Sequence, residues 1–262
     1  MIHYINPEER LTIAKVKEIV DNKMTIALSE EAKHRIQKCR DYLNKKMESQ
    51  KEPIYGVTTG FGSLCNISIS KEQLSQLQKN LVMSHACGVG DEVPQEVVKL
   101  MLLLKAQNFC FGYSGAQLQT VQRLIDCYNN DVLPIVYQQG SLGASGDLCP
   151  LANLMLPAIL GMGDVYYKGR RCDVKEVYAE LGWQPIELQS KEGLALLNGS
   201  VHEQLCHLVH HQSPASEQAG RHASGPQPGC FRRSHRAFLR EPPHGASAQR
   251  PVGDCCRRAQ VY

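Results

Sequence analysis

No apolar run in the sequence approaches the roughly 18 residues needed to cross a bilayer. The nearest, residues 151–163, is interrupted by Asn153 and Pro157. The start, Met1-Ile2-His3-Tyr4, lacks a basic leader followed by an apolar core, so export is not predicted. Nor does either charge sign dominate: 29 Lys+Arg stand against 26 Asp+Glu, a net +3 over 262 residues. With 42% hydrophobic and 21% charged residues, collagen-like and wholly disordered chains are excluded. The 11 cysteines are scattered and odd in number, which does not suit a disulfide framework and predicts reduced thiols in the cytoplasm.

The sharpest deficit is local. Lys, Ile, Met, Asn and Thr supply 50 of the first 200 residues and none of the last 62. At the earlier usage about 15 would be expected there. Charge shifts at the same place: residues 1–200 carry 21 Lys+Arg against 22 Asp+Glu, residues 201–262 carry 8 Arg against 4 acids. The five missing amino acids are those whose codons all begin with A. Selection on the protein has no reason to remove that set together, whereas a change of reading frame removes it at once. Back-translation of residues 201–212 also permits an offset frame that encodes an apolar, helix-competent peptide. The chain is therefore read as a body, 1–200, and an out-of-frame tail, 201–262, expected to be disordered. Cys206, His207, His210, His211, Cys255 and Cys256 lack the paired spacing of a tetrahedral zinc site, so no metal is expected.

Periodicity in residues 1–200 is mostly helical. Ser29 reads as an N-cap for Ala32, Ile36, Cys39, Leu43 and Met47, a surface helix with Lys and Arg on its other faces. Ser70 with Gln73 reads as a capping box. Pro94 suits a first turn before residues 97–111, apolar nearly all round and hence buried. Residues 116–128 read as an amphipathic helix and 166–171 as a hairpin with a glycine turn. Asp173 caps a short helix that Gly182 ends. No alternating βαβ units are recognised, and the fold class is mainly α with short β segments.

Two glycine-rich segments break this pattern, Tyr55-Gly56-Val57-Thr58-Thr59-Gly60-Phe61-Gly62-Ser63 and the run from Gly140 to Ala152. Neither matches a phosphate loop or a dinucleotide fingerprint, so nucleotide binding is rejected. Ser145 is not in a G-x-S-x-G elbow. By themselves, Tyr55 reads as a half-buried loop aromatic, His85 as a structural helix-end residue and Asn198-Gly199 as a turn pair.

Taken together, GSLGASGDLCPLA, YGVTTGFGS and Lys191-Glu192-Gly193-Leu194-Ala195-Leu196-Leu197-Asn198-Gly199 resemble the histidine and aromatic amino acid ammonia-lyase family, in order and separation, across residues 1–200. The resemblance implies a mainly helical homotetramer. It implies that Ala144, Ser145 and Gly146 condense into 4-methylideneimidazole-5-one, an electrophile made from the chain, with no metal or diffusible cofactor. The Gly146 nitrogen would attack the Ala144 carbonyl carbon, and Ser145 would lose water to leave a methylene. Asp147 would assist the proton transfers of maturation or serve as a turn residue. Tyr55 would remove the β-proton, and Asn198 would lie near substrate.

Ser84-His85 resembles the histidine-specific members, where tyrosine lyases tend to have His-Leu and phenylalanine lyases Phe-Leu. A His can hydrogen-bond an imidazole, which makes L-histidine the expected substrate, giving urocanate and ammonia. The family's carboxylate-binding arginine and other distal site residues have no match before residue 200, so this chain is expected to be inactive by itself. Two alternatives remain. One is a lyase or aminomutase acting on tyrosine or phenylalanine. The other is a helical scaffold whose basic tail is a binding arm. Neither nucleic acid nor membrane is the preferred partner.

Overall fold

The apolar periodicities become eight helices and seven short strands in the computed structural model, which describes residues 1–49, 52–61, 69–140, 143 and 145–199. In chain order these are β1 (Ile2–Ile5), α1 (Ile13–Asp21), β2 (Thr25–Leu28), α2 (Glu30–Ser49), α3 (Lys71–His85), β3 (Val89–Glu92), α4 (Gln95–Cys110) and α5 (Leu118–Asn129). There follow β4 (Leu133–Pro134), β5 (Tyr137–Gln139), α6 (Cys149–Leu160), β6 (Asp164–Tyr167), β7 (Arg170–Asp173), α7 (Val174–Leu181) and α8 (Glu192–Leu197). The expectation that residues 201–262 are disordered lies outside the described residues. Among the described residues no helix is long and apolar enough to cross a membrane.

The mainly α fold class holds, with one correction to its β content. A βαβ unit is present: β1 and β2 run parallel, in register from Ile2↔Thr25 to Ile5↔Leu28, joined through α1. The strands are four residues each, too short for a period-2 pattern to stand out from the sequence. The outer edge of β2 is completed by a side chain. Asn129 at the end of α5 accepts from the Ile26 amide at 2.8 Å and donates to the Ile26 carbonyl at 2.8 Å. No doubly wound sheet forms among the described residues, whose sheets have two, two and three strands.

Helix α4 is the core's axis. Val97, Val98, Met101, Leu102, Leu103, Ala106, Phe109 and Cys110 are buried, as a helix apolar on every side requires. Pro94 sits at its N-cap, one position before the first turn. Helix α5 covers one flank with Val121, Leu124, Ile125 and Tyr128, and α6 supplies an almost wholly buried apolar rod. Pro157 within α6 has no amide to donate. The Tyr178 hydroxyl lies beside that turn, donating to the carbonyls of Pro157 (3.0 Å) and Ala158 (2.8 Å).

Local signals fared unevenly. The Ser29 hydroxyl accepts from the Ala32 amide at 3.2 Å, and Asp173 accepts from the Lys175 amide at 2.8 Å, as their positions predict. The hairpin pairs Tyr167 with Arg170 across Lys168 and Gly169, both at positive φ, the requirement of a type I′ turn. Ser70 occupies the N-cap of α3, but its side chain makes no capping bond, so the capping box is not formed. The surface reading of α2 fails at Arg40, which is buried and donates to the carbonyls of Gly115 and Ser190 at 2.9 Å each.

Candidate functional site

The glycine-rich run from Gly140 begins where the buried stretch 132–136 emerges through β5. Gly140 has no room for a larger residue. A Cβ there would lie 2.3 and 2.4 Å from the Asp147 carboxylate oxygens and 2.6 Å from Cys149 Cβ. Asp147 Oδ1 in turn accepts from the Cys149 amide at 3.0 Å, where α6 starts. Between them Gly143 and Gly146 exchange both backbone hydrogen bonds, at 3.3 and 3.1 Å, which closes a tight turn with Ser145 exposed on it. Gly146 has φ +84°, a region that a side chain disfavours. Ala144, Ser141 and Leu142 lie outside the described residues. Gly140→Ala is expected to displace the Asp147 carboxylate and destabilise the fold by about 2 kcal/mol or more, measured by urea unfolding.

Ser84 and His85 end α3. His85 Nδ1 lies 2.8 Å from the Leu81 carbonyl oxygen, and the Ser84 hydroxyl donates to the same oxygen at 3.1 Å. A carbonyl has no proton to give, so Nδ1 carries it, and in the neutral ring Nε2 keeps the lone pair. His85 is half-buried and Ser84 exposed.

Tyr55 leads the other glycine-rich loop and is 48% exposed, its ring edge-to-face with Phe61 at 6.0 Å between centroids. Thr58 and Thr59 fold that loop on itself, their hydroxyls accepting from the amides of Ile54 (2.8 Å) and Gly56 (3.2 Å). Gly62 and Ser63 lie outside the described residues. The loop rests on α8: a Cβ on Gly56 would come 3.5 Å from Leu194 Cδ2.

Helix α8 is anchored from both ends. Glu192 is fully buried and accepts four hydrogen bonds, from the amides of Gln117 and Gln189 (2.8 Å each), the Thr120 hydroxyl (2.8 Å) and Gln117 Nε2 (2.5 Å). The Gly193 amide donates to Gln78 Oε1 of α3 at 2.9 Å. At the C-cap, the Asn198 backbone amide and Nδ2 both donate to the Leu194 carbonyl, at 3.2 and 3.1 Å. Its own carbonyl accepts from Lys105 Nζ at 2.7 Å. Lys105 is fully buried in α4, and loss of solvation lowers its ammonium to a pKa of about 7. Sequence reasoning missed both Lys105 and Glu192. For Lys105 a signal existed, a cation in the middle of the long apolar run of α4, flanked by Leu102, Leu103, Leu104 and Ala106; for Glu192 there was none.

Helix α3 gathers these parts. It packs on both α6 and α8, which also touch each other. Just beyond His85, the backbone at Gly88 passes over the first turn of α6, where a Cβ would meet Asn153 Nδ2 at 2.5 Å and Cys149 Sγ at 3.0 Å. The three motifs are thus packed around one helix, with the start of α6 and Gly88 on one side, Gly193 on the other, and Gly56 bearing on α8. A separate cavity of about 470 Å³, lined by Arg40, Asn44, Gln117, Glu187 and Ser190, includes none of the site residues expected from sequence. Among the described residues no cluster of His, Cys, Asp and Glu could hold a metal ion. Cys206, His207, His210, His211, Cys255 and Cys256 lie outside them.

A profile of the family described as aromatic amino acid lyase matches residues 11–205. The histidine ammonia-lyase of Caldanaerobacter subterraneus subsp. tengcongensis is 45% identical over 190 residues, covering 72% of this chain and 37% of that protein. Among solved structures, histidine ammonia-lyase from Trypanosoma cruzi superposes with a TM-score of 0.71 at 34% identity, over 80% of this chain and 40% of the other. Tyrosine aminomutase from Streptomyces globisporus gives 0.69 at 32% identity, over 77% and 37%. The chain spans less than half the length of each of these proteins.

Proposed function

From a chain that belongs to the aromatic amino acid lyase family, we propose the N-terminal part of a histidine ammonia-lyase site, which eliminates ammonia from L-histidine to give trans-urocanate. The observation that carries the reading is the turn closed by Gly143 and Gly146, with Ser145 exposed on it, in a chain whose relatives include histidine ammonia-lyases. We further propose a homotetramer in the cytoplasm, with residues 201–262 out of frame; the family match ends near that boundary, at residue 205.

The residues fit the self-made electrophile the family implies, 4-methylideneimidazole-5-one from Ala144, Ser145 and Gly146. Gly146 is at positive φ in the turn that its hydrogen bonds with Gly143 close, and Ser145 has a hydroxyl to lose as water. Closure of the Gly146 nitrogen on the Ala144 carbonyl carbon expels one water, and dehydration of Ser145 expels a second. The Asp147 carboxylate, one residue on, would pass protons in those steps. Once formed, the group supplies an electron-poor centre for the substrate's amino group.

The chain's other residues take separate parts. The Tyr55 hydroxyl is the base for the β-proton. Asn198 Oδ1, which no donor among the described residues reaches, accepts from the substrate ammonium. His85 Nε2, left with its lone pair by the Leu81 contact, accepts from the imidazole N–H of L-histidine, and Ser84 lies beside it.

Substrate choice is tested by ligand-induced thermal shifts. L-histidine should raise the melting temperature more than L-tyrosine or L-phenylalanine, and His85→Leu should reverse that order, by about tenfold in relative affinity. A wild-type preference for tyrosine would favour an aromatic lyase or aminomutase, the reading to which the aminomutase likeness points. With the tail out of frame, the purified chain is expected to release no urocanate alone; steady turnover would overturn that assignment.

A further inference from the structure

A buried ammonium is expensive, because a low-dielectric interior replaces none of the hydration it loses. Lys105 bears that cost in the middle of α4, among Met101, Leu102 and Phe109, where a methionine would fill the same volume without it. Its polar contact is the Asn198 carbonyl at 2.7 Å, 93 positions later in the chain, and its Nζ also lies 5.1 Å from the centre of the Phe109 ring. Asn198 has left the helix by then, with φ −77° and ψ 133°. The last turn of α8 therefore holds only its amide and Nδ2, both on the Leu194 carbonyl. The Asn198 carbonyl is held on α4 by the Lys105 ammonium. With the carbonyl tied to α4 and Nδ2 to Leu194, the backbone and the side-chain amide of Asn198 are both restrained.

We propose that Lys105 is a positioning residue: by donating to the Asn198 carbonyl it locks the end of α8 and so holds in place the Asn198 amide, whose Oδ1 accepts from the ammonium of an amino acid substrate. This rests on the reading of Asn198 as a substrate contact, and it adds a group outside those assigned to the substrate and to the electrophile. It also accounts for a fully buried lysine in α4.

The test uses the 262-residue chain with Lys105→Met, which removes the donor at constant volume, and Lys105→Arg, which keeps one. Lys105→Met should melt at or above the wild-type temperature, since a desolvated cation is gone. Backbone amides of residues 196–199 should nevertheless exchange with deuterium about tenfold faster or more, while α4 itself is unchanged. Lys105→Arg should return that exchange toward the wild-type rate. With 15N-asparagine labelling, L-histidine should shift the Asn198 side-chain signal in wild type and Lys105→Arg and leave it unmoved in Lys105→Met. Wild-type exchange rates at 196–199 in Lys105→Met overturn the proposal. So does a marked loss of melting temperature in that variant, which would make the lysine a packing element, or failure of a folded Lys105→Arg to restore exchange. If L-histidine shifts nothing even in wild type, the substrate assignment fails, and the exchange comparison still decides whether Lys105 holds Asn198.

Discussion

Ser145→Ala is expected to lose at most the single water of ring closure, whereas the unsubstituted protein should be lighter by two waters. The two losses have different origins, one from closure of the Gly146 nitrogen on the Ala144 carbonyl and one from the Ser145 hydroxyl. Alanine has no oxygen at Cβ, so the second loss cannot occur, and without it no methylene forms. Wherever this chain is part of a working lyase, ammonia release from L-histidine should fall by on the order of 10³-fold or more, as when a covalent catalyst is removed. Stability should hardly change, because Ser145 is exposed and buries nothing. Intact-mass spectrometry separates the outcomes. An unsubstituted chain with no deficit, or a Ser145→Ala chain that has both, would defeat the assignment of the tripeptide.

Glu192→Ala is expected to produce the largest stability loss, about 3–5 kcal/mol. Four donors converge on that carboxylate, two from Gln117 and one each from Thr120 and Gln189. All would be left in a site with no solvent access to replace it, since Glu192 has 0% of its surface exposed. The damage should spread in a defined direction. Gln117 is the N-cap of α5 and Glu192 opens α8, so one residue ties the starts of both helices. Urea unfolding should show the midpoint fall with little change in slope. Glu192→Gln should lie between the two, since its amide oxygen still accepts while its NH₂ faces donors. A midpoint within about 1 kcal/mol of wild type for Glu192→Ala would mean the donors find other partners.

How far the sequence foretells this arrangement depends on the distance over which each interaction acts. The Ser29 and Asp173 caps, the Lys168-Gly169 turn and the buried helix around Met101 are settled within a few residues, and all are legible. So is the family, because the three motifs are long and in order. What escapes is non-local. Arg40 looks like any surface arginine of a charged helix until Gly115 and Ser190 arrive 75 and 150 residues later. Glu192 finds Thr120 72 residues back, and Lys105 finds Asn198 only when α8 docks. The β1–β2 pair is missed for a related reason, as four-residue strands acquire their meaning from a partner. Ser70 shows the opposite error, a local pattern present in sequence whose side-chain bond is not made.

The amide of Asn129, set against β2, has a consequence for solubility. A parallel pair of short strands ordinarily leaves an open row of donors and acceptors on which another chain can lay a strand. Here a single side chain occupies the middle of that row, giving and taking at Ile26 as a neighbouring backbone would. The ribbon is thereby capped sideways, and accidental strand-to-strand recruitment is blocked at the point where it would most readily begin.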